Sequence, residues 1–114
     1  MGRPPLFGPT PALTRKGTRM AKLSEPEIHD RMPTAKGWER HGDMLVRSWQ
    51  FPSFRRAVEF VNQVAGLAEK SDHHPEIILS YRTVQLQLST HSHGGLTDLD
   101  FNFASEINAL PVDR

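Results

Sequence analysis

The 114-residue chain contains no cysteine. Disulfides, cysteine-based metal sites and thiol chemistry are thereby excluded, and the composition suits a reducing cytosol. The chain also lacks an excess of charge of either sign: 14 Lys and Arg stand against 13 Asp and Glu, a formal net charge of +1. Nucleic-acid phosphates reward clustered basic charge, so no nucleic-acid partner is expected. No apolar run is long enough to span a bilayer, and no membrane partner is expected either. There is no internal repeat. The length suits one domain, large enough to bury a core without covalent or metal support.

The opening stretch, MGRPPLFGPTPALTRKGTRM, has no acidic residue and carries four prolines. It lacks the apolar segment of a secretory signal, and it is more interrupted by proline than an organelle transit peptide. Proline and glycine at this density cannot hold a helix. Residues 1–21 are therefore expected to form a disordered tail, with residues 22–114 as the domain and Met20 as an alternative start.

Hydrophobic periodicity organises the rest. LSEPEIHDRM (23–32) predicts a short helix capped by Ser24 and stopped by Pro33. GWERHGDMLVRSWQF predicts a hairpin, with strands near 38–40 and 44–50 around His41-Gly42-Asp43. In the second strand Leu45, Arg47 and Trp49 share one face. Residues 53–72 predict a long amphipathic helix capped by Ser53, with Phe54, Ala57, Val58, Val61, Val64, Ala65 and Ala68 as its apolar stripe. Strands follow over 76–81 and 83–90. Their connection, Tyr81-Arg82, lacks the Gly or Asn that a two-residue turn favours. TDLDFNFASEINAL (97–110) predicts a final helix, with a capping box from Thr97 to Asp100 and a buried stripe of Phe103, Ala104 and Ile107. This order predicts an α+β fold: a four-stranded antiparallel sheet with helices packed on one face.

Four of the six histidines fall between His73 and His93, in SDHHPE (71–76) and STHSHGG (89–95). A lone histidine is most often a surface or satisfied residue, which is the reading for His29 and His41. A cluster suits proton transfer, because imidazole titrates near neutrality. Pro75 keeps His74 out of helical geometry, so the two adjacent rings point in different directions. That disfavours chelation by both but lets them approach a flat ligand from two sides. HH and HxH together offer four nitrogens to zinc, yet the usual catalytic carboxylate or helix-spaced HExxH pair is missing, so no metal is expected. Asp100 lies on the inward stripe of the last helix. It can cap the first turn, orient a histidine, or do both. His91 falls in phase with the polar Gln85 and Gln87. The site therefore opens on the polar face or edge, or else the strand kinks at Thr90.

These residues resemble the pterin-4a-carbinolamine dehydratase family. EKSDHHPE (69–76), STH (89–91), Gly95-Leu96, Asp100, Gly37-Trp38 and the FPSFRRAVEFVNQVAGLAEK segment match in order and spacing, across roughly 22–110. The resemblance implies a hydro-lyase, 4a-hydroxytetrahydrobiopterin dehydratase, which removes water from a 4a-hydroxytetrahydropterin to give a quinonoid dihydropterin. Its setting would be the recycling of the pterin used by an aromatic amino acid hydroxylase. It implies no metal, no organic cofactor, a cytoplasmic location and a homo-oligomer, dimer or tetramer. The family's catalytic residues carry over to His73, His74, His91 and Asp100. On this basis His73 and His91 are the expected acid/base pair, His74 holds the pterin and Asp100 orients an imidazole. Pro75 and the Thr90, His91, Ser92 and His93 loop would complete the substrate site, its backbone binding the pyrimidine edge, with Glu69 as a further candidate. Ile77 and the HSHGG loop depart from the family pattern, and His93 is not a usual catalytic member. The alternative is a binding, coactivator or assembly module on the same fold.

Overall fold

The computed structural model describes residues 21–111, so the expected tail, apart from Ala21, lies outside the described residues. Helix α1 spans Glu25–Arg31 and opens with a capping box, in which the Ser24 hydroxyl accepts from the Glu27 N–H and the Glu27 carboxylate accepts from the Ser24 N–H. Pro33 does not end the chain's winding outright. Met32–Thr34 tightens into a 3-10 turn, where a missing N–H is tolerated.

Four strands follow: β1 (Glu39–His41), β2 (Met44–Gln50), β3 (Glu76–Ser80) and β4 (Thr83–Leu88). They form one antiparallel sheet in the order β1-β2-β4-β3. Helix α2 (Phe54–Ser71) lies between the two hairpins in sequence, and α3 (Asp98–Asn108) closes the fold. Leu45, Trp49, Val84, Leu86 and Leu88 turn the same way from the sheet and join Ala57, Phe60, Val64 and Ala68 of α2 with Phe103, Ala104 and Ile107 of α3 in one buried core. Each large aliphatic side chain fully buried there contributes about 1.5–3 kcal/mol. The fold is the α+β arrangement expected from the sequence.

Three details differ from the expectation or sharpen it. The buried stripe of α2 includes Phe60, which packs 4.8 Å from Trp49 and 5.1 Å from Phe51 between ring centroids. Phe54, assigned to that stripe from spacing alone, is 52% exposed in the first turn. The second hairpin is in two-residue register, Ser80 opposite Thr83, and Tyr81 takes the left-handed conformation (φ 55°) that Gly or Asn would adopt with less strain. Arg47 lies on the core side of β2, yet its guanidinium avoids burial without partners. It sits 4.9 Å from the Trp49 ring and donates to Lys36 O and Asn108 Oδ1. Asn108 Oδ1 also accepts from Trp38 Nε1, so this network ties the sheet to the end of α3.

Candidate active site

Helix α2 ends at Asp72, which adopts the left-handed conformation (φ 52°, ψ 41°) common at helix C-termini and tolerated by Asp. The next N–H, that of His73, still reaches back to Ala68 O at 3.2 Å. This tight exit swings the His73 ring inward, where it is buried and edge-on to Phe103 with 5.9 Å between centroids. The chain is then extended through Pro75, and the next ring, His74, faces solvent.

Asp100 stands in the first turn of α3 and is fully buried. A buried carboxylate is costly unless every oxygen is hydrogen-bonded. Here Oδ1 accepts from His73 Nε2 at 2.7 Å, and Oδ2 accepts from the Thr90 hydroxyl at 2.8 Å and the Thr97 N–H at 3.0 Å. Asp100 thus caps the helix and holds a histidine at once, so both roles left open by the sequence are filled. The Thr90 and Thr97 hydroxyls are themselves 2.9 Å apart. Spacing alone marks Thr97 only as a cap; the Thr-x-x-Asp capping box is the sequence signal that ties it to this cluster.

Thr90 continues the inward phase of Leu86 and Leu88. It pairs with Gly95 in an isolated antiparallel bridge, and between them His91–His93 wind into a 3-10 turn closed by Gly94 at φ 75°. The strand therefore keeps its alternation through Thr90 and then leaves extended geometry. That places the exposed His91 one residue from the buried cluster. The imidazole of His91 makes no hydrogen bond among the described residues, while His93 Nδ1 and Ser92 Oγ are in contact at 3.0 Å. The Thr90 N–H goes to Gly95 O and the His93 N–H to Thr90 O. Of the loop's N–H groups expected to meet a ligand, those of His91 and Ser92 are left outside this internal ladder.

The remaining candidates form a second pair. His74 Nε2 donates to Glu69 Oε2 at 2.8 Å across the end of α2, with both groups exposed. The structure thus brings together His73, Thr90 and Asp100 in one buried cluster and His74 with Glu69 in another contact, and it leaves His91 and His93 on the 3-10 turn that follows Thr90. Among the described residues, no group of three or more His, Asp or Glu side chains is placed to hold a metal ion, and no helix is long and apolar enough to cross a membrane. A histidine with one nitrogen fixed by a carboxylate has a defined tautomer and one nitrogen left to exchange protons.

Comparison with known proteins adds an independent line. The family profile described as pterin 4 alpha carbinolamine dehydratase matches residues 21–110. A protein of Thermomicrobium roseum named "Putative pterin-4-alpha-carbinolamine dehydratase" is 45% identical over 91 residues, which is 80% of this chain and 98% of the relative. The crystal structure of a transcriptional coactivator/pterin dehydratase from Brucella melitensis superposes with a TM-score of 0.73 at 38% identity, covering 77% of this chain and 96% of that one. A pterin dehydratase-like protein described as a RuBisCO assembly factor in the alpha-carboxysome has a TM-score of 0.54 at 23% identity, covering 68% and 89% of the two chains, and shares the fold.

Proposed function

The chain belongs to the pterin 4 alpha carbinolamine dehydratase family, and from that premise we propose that it dehydrates a 4a-hydroxytetrahydropterin to a quinonoid dihydropterin by histidine acid/base catalysis. The observation that carries the proposal is the buried contact between His73 and Asp100, 2.7 Å long, beside a loop bearing an exposed His91. Hydroxide is a poor leaving group from C4a. A positioned acid protonates it as the C–O bond breaks, and a base removes a ring N–H proton as the new C=N bond forms. The hydroxyl and that proton leave together as water. No electrons change hands overall, so acid and base suffice, each worth about 10²–10⁴-fold in rate.

His73 and His91 are the acid/base pair in this reading. Asp100 orients His73. His74, steadied by Glu69 and set by Pro75, lies against the pterin. The N–H groups of His91 and Ser92 are the loop donors available to the pyrimidine edge, and His93 borders the same turn. The product would return to a reductase serving an aromatic amino acid hydroxylase. The protein acts in the cytoplasm as a homo-oligomer, dimer or tetramer, which light scattering measures directly.

The test is turnover of chemically generated carbinolamine, followed by ultraviolet absorbance. Wild-type protein is expected to outpace buffer, and His73→Ala and His91→Ala each to lose most of the rate while remaining folded. Wild-type protein no faster than buffer would sink the proposal in favour of a binding or assembly role on this fold.

A further inference from the structure

The hydrogen bonds around Asp100 form a ladder, and the acceptor-only carboxylate orders its protons. A hydroxyl has one proton to donate, and an ionised carboxylate only accepts. The Thr90 hydroxyl donates to Asp100 Oδ2. The 2.9 Å contact between the two threonine hydroxyls must then run from Thr97 to Thr90. While it donates, Thr97 Oγ1 also accepts from the Leu99 N–H at 3.2 Å, in the first turn of the helix. With Oδ2 taken by Thr90 and the Thr97 N–H, Oδ1 is left to the ring of His73.

We propose that Thr90, backed by Thr97, is a positioning residue that fixes the Asp100 carboxylate so that neutral His73 is held as the Nε2–H tautomer, with Nδ1 free for proton transfer. The proposal deepens the dehydratase reading and rests on it for its kinetic arm only. Two observations carry it. An ionised carboxylate only accepts, so the Thr90 hydroxyl and the Thr97 N–H both point at Oδ2 and turn Oδ1 toward the imidazole. Thr90 and Thr97 are also buried, at 5% and 0% exposure, so water does not supply the missing donor. Among the described residues Nδ1 of His73 has no hydrogen-bond partner, whereas Nε2 has one. Thr90 therefore does more than continue the apolar face of β4. It carries the register of the α3 cap to the ring that exchanges the proton.

The experiment compares wild type, Thr90→Val and Thr90→Ser, full length, by long-range proton–nitrogen correlation of labelled histidine and by turnover. Spectra are recorded at a pH alkaline enough to keep the imidazoles neutral. Wild type is expected to give His73 a pyridine-type Nδ1 and a pyrrole-type Nε2. Thr90→Val keeps the shape and loses the donor; it should give averaged nitrogen signals for His73 and a kcat lower by roughly tenfold, as for other outer-shell partners of a histidine, with KM little changed. Thr90→Ser should restore a single tautomer and most of the rate. The proposal is overturned if Thr90→Val keeps the single Nε2–H tautomer, or if Thr90→Ser is as impaired as Thr90→Val. Should the valine variant fail to fold, the wild-type spectrum decides, because a dominant Nδ1–H form of His73 contradicts the ladder. Absence of turnover by wild type would remove the dehydratase reading and leave the spectra to judge the tautomer.

Discussion

Replacing Asp100 by asparagine exchanges one oxygen for an amide nitrogen and removes one charge. The surroundings decide which way the amide turns. The Oδ2 position receives two donors, the Thr97 N–H and the Thr90 hydroxyl, whereas Oδ1 receives one, from His73. A backbone N–H cannot become an acceptor, but an imidazole can shift its proton. The amide oxygen therefore takes the Oδ2 position and its NH2 faces His73 Nε2, which must accept and so becomes the Nδ1–H tautomer. Every buried group keeps a partner, and the stability cost is about 0.5–1.5 kcal/mol, the difference between a charge-assisted and a neutral hydrogen bond. Alanine at the same site strands the Thr97 N–H and the His73 ring. At about 1–3 kcal/mol for each unsatisfied donor, the loss is about 2–6 kcal/mol, reduced somewhat because a buried charge is also removed. Urea unfolding at fixed protein concentration separates the two variants, since a central gap of about 3 kcal/mol, at a slope of about 1–2 kcal/mol per M, becomes a midpoint difference of about 1.5–3 M. Turnover should fall far more than this small stability cost implies. The asparagine variant stays folded but presents the wrong nitrogen, and a loss of roughly 10²-fold or more is expected. An asparagine variant within about threefold of the wild-type kcat/KM, or one as unstable as the alanine variant, would refute the reasoning.

Three further outcomes follow from the fold. Phe60→Ala empties the centre of the contact with Trp49 and Phe51, and should destabilise by about 3–5 kcal/mol in urea unfolding. Gly37 has φ +85° and a Cβ added there would stand 2.6 Å from the Arg47 guanidinium, so Gly37→Ala should cost about 1–2 kcal/mol, with turnover per folded molecule preserved. The hydrogen-bonded Arg40 guanidinium holds the exposed Glu25 carboxyl below the ordinary carboxylate range. A depressed acid stabilises the fold above its unfolded pKa and loses that contribution as pH falls through the folded one. The stability difference between wild type and Glu25→Gln should therefore be small at neutral pH, shrink with salt and vanish in acid; a difference that grows in acid would contradict the pairing.

Much of this architecture was legible because the signals are local. Ser24, Ser53 and Thr97 announce three helix starts through caps, and Leu86 and Leu88 alternate cleanly with Gln85 and Gln87. Asp100 was legible as an inward-facing group because helical spacing puts it on the stripe of Phe103, Ala104 and Ile107. Other features depend on tertiary partners. Nothing in the spacing of α2 tells Phe60 from Phe54; the aromatic rings of Trp49 and Phe51 choose between them. The turn at Tyr81 follows from strand register overriding local preference. The division of the histidines also escapes spacing. His73 and His74 are adjacent, yet a left-handed Asp72 and the rigid Pro75 send one to a buried aspartate and the other to a solvated glutamate. The threonine pair was visible only as a cap and a loop residue, because a hydroxyl's partner is set by three-dimensional approach.

The most direct measurement is the initial rate of carbinolamine dehydration by His73→Ala beside wild type near neutral pH, with circular dichroism confirming that both are folded. The expected result is clear acceleration over buffer by wild type and a loss of about 10²–10⁴-fold in the variant. A folded His73→Ala protein that turns over as fast as wild type would contradict the assignment of proton transfer to the imidazole held by Asp100.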